Sequence, residues 1–288
     1  MTTAVIGATG GIGHLVVEGL LAAEQRVTAL VRDGRKAESL FGSPPDLDVR
    51  EIALGRPAEV AAGLAEADTV FVAMGSIGEE GVLQRVAIQA AATASIDQFV
   101  RLSVLNTSPN SLGINQRAHW SIDSAAQAAG IPYTTIRPAI FSTALLVGAP
   151  ELRTSQTWTG IAGTGRVALI DHRDVADVAV RVLTDPTTWG RHYDLTGPVQ
   201  LSWPEAMELL SAELGETMTF QTISELRLVR GLIDAGVVPG QAELAVAREW
   251  AILAGENERT TTGVRDLTGH EPRTVADFLS ENREVFVQ

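Results

Sequence analysis

Apolar residues along the first half of the chain come in short β-branched runs separated by longer stretches of helical period, a pattern that predicts a parallel sheet with crossover helices. The predicted strands are Thr3–Ile6, Arg26–Val31, Leu47–Ile52, Thr69–Met74, Gln98–Val104 and Tyr133–Arg137. Between them the spacing predicts helices near Gly11–Glu24, Arg35–Phe41, Ala58–Ala65, Gly81–Ser95 and Ile114–Ala129. Thr69–Met74 is apolar along nearly its whole length, as a strand covered on both faces must be. The expected fold is α/β, a doubly wound parallel sheet with a smaller, mostly helical C-terminal lobe.

After Pro138 the rhythm changes. Ala168–Ile170 is predicted as a short strand leading into a helix capped by Asp171, and Tyr193–Thr196 as a last strand. Helices are then expected over Trp203–Leu214, Ser224–Ala235, Gln241–Ala254 and Thr274–Phe286. Gly215, Gly236 and Gly255 each follow one of these runs, where a helix end wants a residue tolerant of positive φ. The division predicted is a core over residues 1–140, rejoined by a strand and helix from 165–200, with 141–164 and 201–288 forming a lobe over the carboxyl ends of the strands. Ligands of open α/β sheets bind in that crevice.

The first predicted turn carries the clearest chemistry. Val5-Ile6-Gly7-Ala8-Thr9-Gly10-Gly11-Ile12-Gly13 sets Gly7, Gly10 and Gly13 at intervals of three, between a strand and a helix. The first glycine permits a sharp turn, the second admits a pyrophosphate against backbone, and the third lets helix and strand pack closely. Thr9, Gly11 and Ile12 complete the phosphate-binding stretch, whose N–H groups meet the anion at the positive end of the helix. No Lys-Ser/Thr pair follows, so it is not an ATP-type loop.

The second strand ends in Val31 and is followed by Arg32 and Asp33. An NAD site places a carboxylate near this point to hold the ribose diol. A guanidinium instead forks onto a 2′-phosphate. NADP(H) is therefore the expected cofactor, with NAD(H) as the alternative, because a shift of one residue would bring Asp33 to the ribose. Met74 and Gly75, after the fourth strand, are expected under the adenosine side or near the ribose.

Composition narrows the chemistry. The 288 residues are 45% hydrophobic and carry a formal charge of −13, which disfavours nucleic acid. Cysteine is absent, which removes disulfides and thiolate chemistry and suits a reducing cytoplasm. No signal peptide and no membrane span are predicted. The histidines show no metal-ligand spacing, so no metal site is expected. A small-molecule acceptor is the expected partner, and self-association is left open. Lys36 is the one lysine, and Tyr133 and Tyr193 the only tyrosines.

The glycine turn, Leu30-Val31-Arg32-Asp33 and Phe99-Val100-Arg101-Leu102-Ser103 together resemble the NmrA-like group of atypical short-chain dehydrogenases. So do Tyr133-Thr134-Thr135-Ile136-Arg137-Pro138, Ile170-Asp171-His172-Arg173-Asp174-Val175-Ala176 and Tyr193-Asp194-Leu195-Thr196-Gly197-Pro198. The resemblance runs over essentially the whole chain and implies a Rossmann domain with a substrate lobe. It also implies either an NADPH-dependent reductase or a dinucleotide-sensing regulator without turnover. Main chain near Pro138 is implied against the nicotinamide, with Phe141 either beside it or plain core.

Conventional members of that superfamily carry a serine after the fifth strand and a Tyr-x-x-x-Lys on the next helix, which moves the carbonyl proton. Ser103 stands where that serine would, and Asn115 and His119 fall at the tyrosine and lysine positions. The dyad is absent. Ser103, Asn115 and His119 are the catalytic candidates, although a serine can satisfy a backbone group and a helix histidine can simply pack. Hydride transfer to an acceptor needing little proton assistance remains open to such a site: a quinone, azo, nitro or imine group.

Overall fold

The structure, a computed structural model, describes residues 1–287. The chain begins with β1 (Thr2–Ile6), α1 (Gly13–Ala22), β2 (Arg26–Val31), α2 (Gly34–Phe41), β3 (Leu47–Glu51), α3 (Pro57–Leu64) and β4 (Thr69–Val72). It continues through α4 (Glu79–Thr93), β5 (Gln98–Leu102), α5 (Ile114–Ala128) and β6 (Tyr133–Pro138). A 3-10 segment at Ser142–Gly148 leads to α6 (Ala149–Ser155), β7 (Thr157–Gly160), α7 (His172–Thr184) and β8 (His192–Leu195). The rest is α8 (Trp203–Leu214), β9 (Thr219–Thr222), α9 (Glu225–Asp234), α10 (Pro239–Leu253), α11 (Gly263–Thr268), α12 (Val275–Glu281) and α13 (Arg283–Phe286).

Seven strands form one sheet in the order β3-β2-β1-β4-β5-β6-β8, every pair parallel. Strand order reverses between β1 and β4, so the crevice of a doubly wound sheet opens where these two strands end. The period-two alternation of side chains divides the core. Val5, Phe71, Val100 and Ile136 face α1 and α7 on one side, whereas Ala4, Ile6, Val70, Val72 and Phe99 face α3, α4 and α5 on the other. β4 is buried at every position, as its unbroken apolar run requires.

A third core holds the later elements together, with Trp158 between Trp203 and Phe220 at ring separations of 5.0 and 5.5 Å. β7 and β9, neither of which the apolar pattern predicts, pair in parallel there. α11 returns to the sheet and inserts Val264 into the core beneath α7 and β8. Ala168–Ile170 is not a strand. The chain crosses from sheet to lobe at this point, so its backbone bonds are divided: Val167 pairs with Leu201, and Ile170 with the segment around Phe141. The helix predicted over Thr274–Phe286 breaks at Asn282, whose side-chain amide donates to the Phe278 carbonyl at 2.8 Å and competes with the helical ladder. Asp171 caps α7 by accepting from the Arg173 amide, and Gly215, Gly236 and Gly255 take positive φ at helix ends, as predicted.

Candidate active site

The turn after β1 is packed too tightly for any residue but glycine at two positions. Gly7 has φ of 86°, and a methyl group there would overlap the carbonyl of Ala73 at the end of β4. A methyl group at Gly13 would overlap the carbonyl of Gly7, so α1 starts directly on the turn. The Gly10 amide donates to the Gly7 carbonyl at 3.0 Å and closes the loop. Ile12 is the N-cap of α1 and supplies no side-chain acceptor, and the His14 amide closes onto the Gly10 carbonyl at 3.1 Å. Gly11 has open space where a side chain would project. The cradle therefore fits an anionic diphosphate held by main chain.

Gly7, Thr9, Gly10, Gly11, Ile12, Met74 and Gly75 all line one groove of about 620 Å³, whereas Gly13 is buried behind it. At the end of the groove beside β2, Asp33 caps α2, accepting from the Arg35 and Lys36 amides at 3.0 and 3.2 Å. Its carboxylate is committed to the helix and it does not line the groove. Arg32 does line it, exposed, with no side-chain partner among the described residues. Lys36 joins it there, one turn into α2. The sequence pattern did not single out Lys36 for this site; it reaches the groove because α2 starts at Gly34, directly after the strand end, and its first turn borders the groove.

The other end of the groove is built on a buried polar network that was not anticipated. Arg101 on β5 is fully buried. Its guanidinium donates to Gln84 Oε1 at 2.6 Å, to the Asp123 carboxylate, and to His119 Nδ1 at 2.6 Å. Gln84 in turn donates to the carbonyls of Met74 and Gly75 at 3.1 and 2.6 Å, tying the β4 exit to the same cluster. Ser103 donates to the other Asp123 oxygen at 3.0 Å, and Arg137 lies 3.7 Å from that oxygen. Burial pulls the Arg101 guanidinium down to about 10, with Asp123 acting in opposition, so it remains a cation at neutrality. Burial, then Arg101, push the His119 imidazole well below its ordinary value.

These bonds determine the histidine's form. A guanidinium has no acceptor, so Nδ1 of His119 must accept and the ring proton sits on Nε2. His119, Ser103 and Asn115 all line the groove, which gives it a neutral N–H donor and a hydroxyl. Asn115 accepts from the Ser76 hydroxyl at 3.2 Å. His119 and Asp123 follow Asn115 at intervals of four along α5, so one helix face carries all three.

Pro138 lies in a second cavity of about 550 Å³, beneath α9 and α10, and not in the groove. Val104, Asn115, Phe141 and Thr143 line both, so the two spaces are contiguous. The second is walled mainly by apolar side chains, among them Leu105, Ile140, Leu232, Val237 and Leu244. Among the described residues one carboxylate–histidine group, Asp174, Asp177 and His270, is close enough for a metal. The Arg273 guanidinium lies on both of its carboxylates, 2.9 Å from Asp177, and takes the cation's place. No helix among the described residues is long and apolar enough to cross a membrane.

Comparison with known proteins agrees with this geometry. A family model described as NAD(P)H-binding matches residues 7–186. The chain is 30% identical over 296 residues to an NAD(P)H azoreductase of Xenophilus azovorans, covering 98% of each. The NADPH complex of an Escherichia coli NADPH-dependent quinone oxidoreductase superposes with a TM-score of 0.91 at 26% identity, over 97% of this chain and 99% of that one. Triphenylmethane reductase of Citrobacter sp. shares the fold, with a TM-score of 0.86 at 24% identity over 98% and 99% of the two chains. The chain belongs to the NAD(P)H-binding family.

Proposed function

We propose that the protein is an NADPH-dependent reductase that passes hydride to a small conjugated acceptor of the quinone, azo, nitro or imine type. The observation that carries this reading is the continuity of the glycine-turn groove with the apolar cavity through Asn115, Phe141 and Thr143. The named relatives are oxidoreductases of this kind, an azoreductase and a quinone oxidoreductase. The alternative of a sensor without turnover gives the second cavity no task.

Main chain from Gly7 to Ile12 would hold the diphosphate, and Arg32 with Lys36 the 2′-phosphate that distinguishes NADP(H). Met74 and Gly75 would border the ribose. When bound, the nicotinamide supplies the hydride. The residues at the junction orient the reactants and exclude water, the principal work of such a site. His119 offers a hydrogen bond from Nε2 to an oxygen or nitrogen that gains charge, without having to ionise. Ser103 is held by Asp123 and adds a hydroxyl on the same side. Neither residue replaces the strong proton donation of a Tyr-Lys dyad, which fits acceptors whose reduced form is stabilised by conjugation.

The test is to mix purified protein with NADPH and naphthoquinone, azo dyes and imines, following the nicotinamide absorbance. Saturable, enzyme-dependent loss with at least one acceptor is expected. Tight NADPH binding without oxidation by any of them would overturn the reading in favour of the sensor.

A further inference from the structure

The wall of the acceptor cavity includes a guanidinium, that of Arg248, which is held by one loose ion pair and no hydrogen bond. Arg248, on α10, has a side chain 34% exposed and donates no hydrogen bond to any described residue. Its Nε is sealed from water without a partner. The nearest carboxylate, Glu249, stands 3.6 Å from Nη2, beyond hydrogen-bond reach. The other oxygen of that carboxylate accepts from the amides of Ile161 and Ala162 at 3.3 and 3.0 Å, so Glu249 is shared between them and Arg248. Asn257, only 2% exposed, lines the same cavity, and its side-chain nitrogen is also without a partner.

Both side chains carry donors, and Arg248, a third exposed, brings to the cavity wall a guanidinium that makes no hydrogen bond. A buried donor left unsatisfied costs roughly 1–3 kcal/mol, more when charged. Native structures keep such groups rarely. The charge balance sharpens the point. In a chain of formal charge −13 an anion is repelled at long range, so only a cation built into the cavity wall can seat one. A guanidinium in an apolar cleft does this in forked geometry.

We propose that Arg248, supported by Asn257, is the recognition point for a negatively charged oxygen substituent, a carboxylate or sulfonate, on the conjugated acceptor. The acceptor would then span the cavity, with its reducible group toward Phe141 and Thr143 at the groove junction and its acidic end on α10. This rests on the reductase reading for the identity of the acceptor but not for the existence of the anion site. Arg248 is a specificity residue in this scheme and takes no part in hydride transfer.

The test compares a naphthoquinone sulfonate with the unsubstituted naphthoquinone in wild type, Arg248→Met and Arg248→Lys, with NADPH affinity as the check on folding. Using the ratio between acceptors cancels their different intrinsic reactivities. Arg248→Met is expected to lower the sulfonate-to-neutral ratio of kcat/KM by roughly tenfold to a hundredfold, through KM, as for loss of a charged hydrogen bond. Arg248→Lys, which keeps the charge and loses the fork, should fall between. A parallel calorimetric titration uses naphthalene sulfonate, which cannot be reduced, on protein loaded with NADP⁺. It should bind wild type at least tenfold more tightly than Arg248→Met. If neither quinone is oxidised, the reductase reading fails and the titration still decides the anion site. Equal losses for both acceptors, or equal sulfonate affinity in wild type and variant, would overturn the proposal.

Discussion

Arg101 donates to Nδ1 of His119 across 2.6 Å, and this bond decides which chemistry the histidine can perform. The guanidinium cannot accept a proton-bearing nitrogen, so the imidazole is held neutral with its proton on Nε2. A second proton would place two cations in contact inside the core. His119 is thereby a fixed hydrogen-bond donor and not a titrating acid. At saturating NADPH and acceptor, kcat is expected to stay flat from about pH 5.5 to 8. A sigmoid with its midpoint near the ordinary histidine value would contradict this role.

Folding stability should carry the opposite signature. Below about pH 6.5 the unfolded imidazole takes up a proton and the folded one does not. The unfolded state then binds more protons, so stability is full above that pH and declines as pH falls, until the depressed folded value is reached. The limiting slope is about 1.4 kcal/mol per pH unit for each such histidine. Burial lowers His172 and His192 as well, so their contributions have the same sign. Urea unfolding from pH 7.5 to 5 should give a shallower slope for His119→Asn than for wild type. Parallel slopes would show that His119 protonates as readily folded as unfolded.

Removing the guanidinium tests the network as a whole. Arg101→Met leaves the 6% exposed Asp123 without its nearest cation, and a buried charge stripped of its partner costs about 3–5 kcal/mol. Ser103→Ala removes one neutral donor to the same carboxylate and should cost less, about 1.5–3 kcal/mol. Chemical denaturation of the two variants checks the contrast. Similar losses would mean that Arg101 contributes no more than an ordinary polar contact.

The sequence pattern made some of this legible and not the rest. The strand–glycine turn–helix at Gly7–Gly13 was legible because its constraints are local: each glycine answers to a backbone atom within a few residues or at the next strand end. The capping role of Asp171 was visible for the same reason. Arg101 and Asp123 were not singled out, because their pairing needs β5 and α5 to lie side by side. An arginine inside the apolar run Gln98–Leu102 was nevertheless a signal of a buried partner. β7 and β9 are four residues each, with Thr, Gly and Gln among them, too short for an alternating pattern to stand out. They pair because the surrounding helices position them, which no local pattern encodes. Pro138 was placed at the cofactor from family likeness; it ends β6 and lines the second cavity, beside the junction with the groove.

At the adenosine end, charge reversal should separate the two coenzymes. Arg32→Glu and Lys36→Glu are each expected to weaken NADPH by about tenfold to a hundredfold, the range for a charged hydrogen bond. NADH, lacking the 2′-phosphate, should lose little. Calorimetric titration of both coenzymes into each variant provides the check. Equal losses for NADPH and NADH would remove these side chains from phosphate recognition.

Two glycines of the turn should answer substitution differently. Gly13→Ala forces a methyl group into the Gly7 carbonyl and should lower thermal stability together with NADPH affinity. At Gly11 nothing lies in the way, so Gly11→Val should keep the fold while its side chain intrudes on the groove. The expected result is a Tm close to wild type with NADPH affinity reduced at least about tenfold, comparable to one lost charged hydrogen bond. Undiminished affinity in Gly11→Val would place the diphosphate elsewhere.

The central claim is direct hydride transfer between adjoining spaces, and single-turnover kinetics test it most directly. NADPH carrying deuterium at the transferring C4 position, bound to excess protein and mixed with naphthoquinone, should lose its nicotinamide absorbance several-fold more slowly than unlabelled NADPH. Equal rates for the two, or no loss of absorbance from a fully bound coenzyme, would contradict the account.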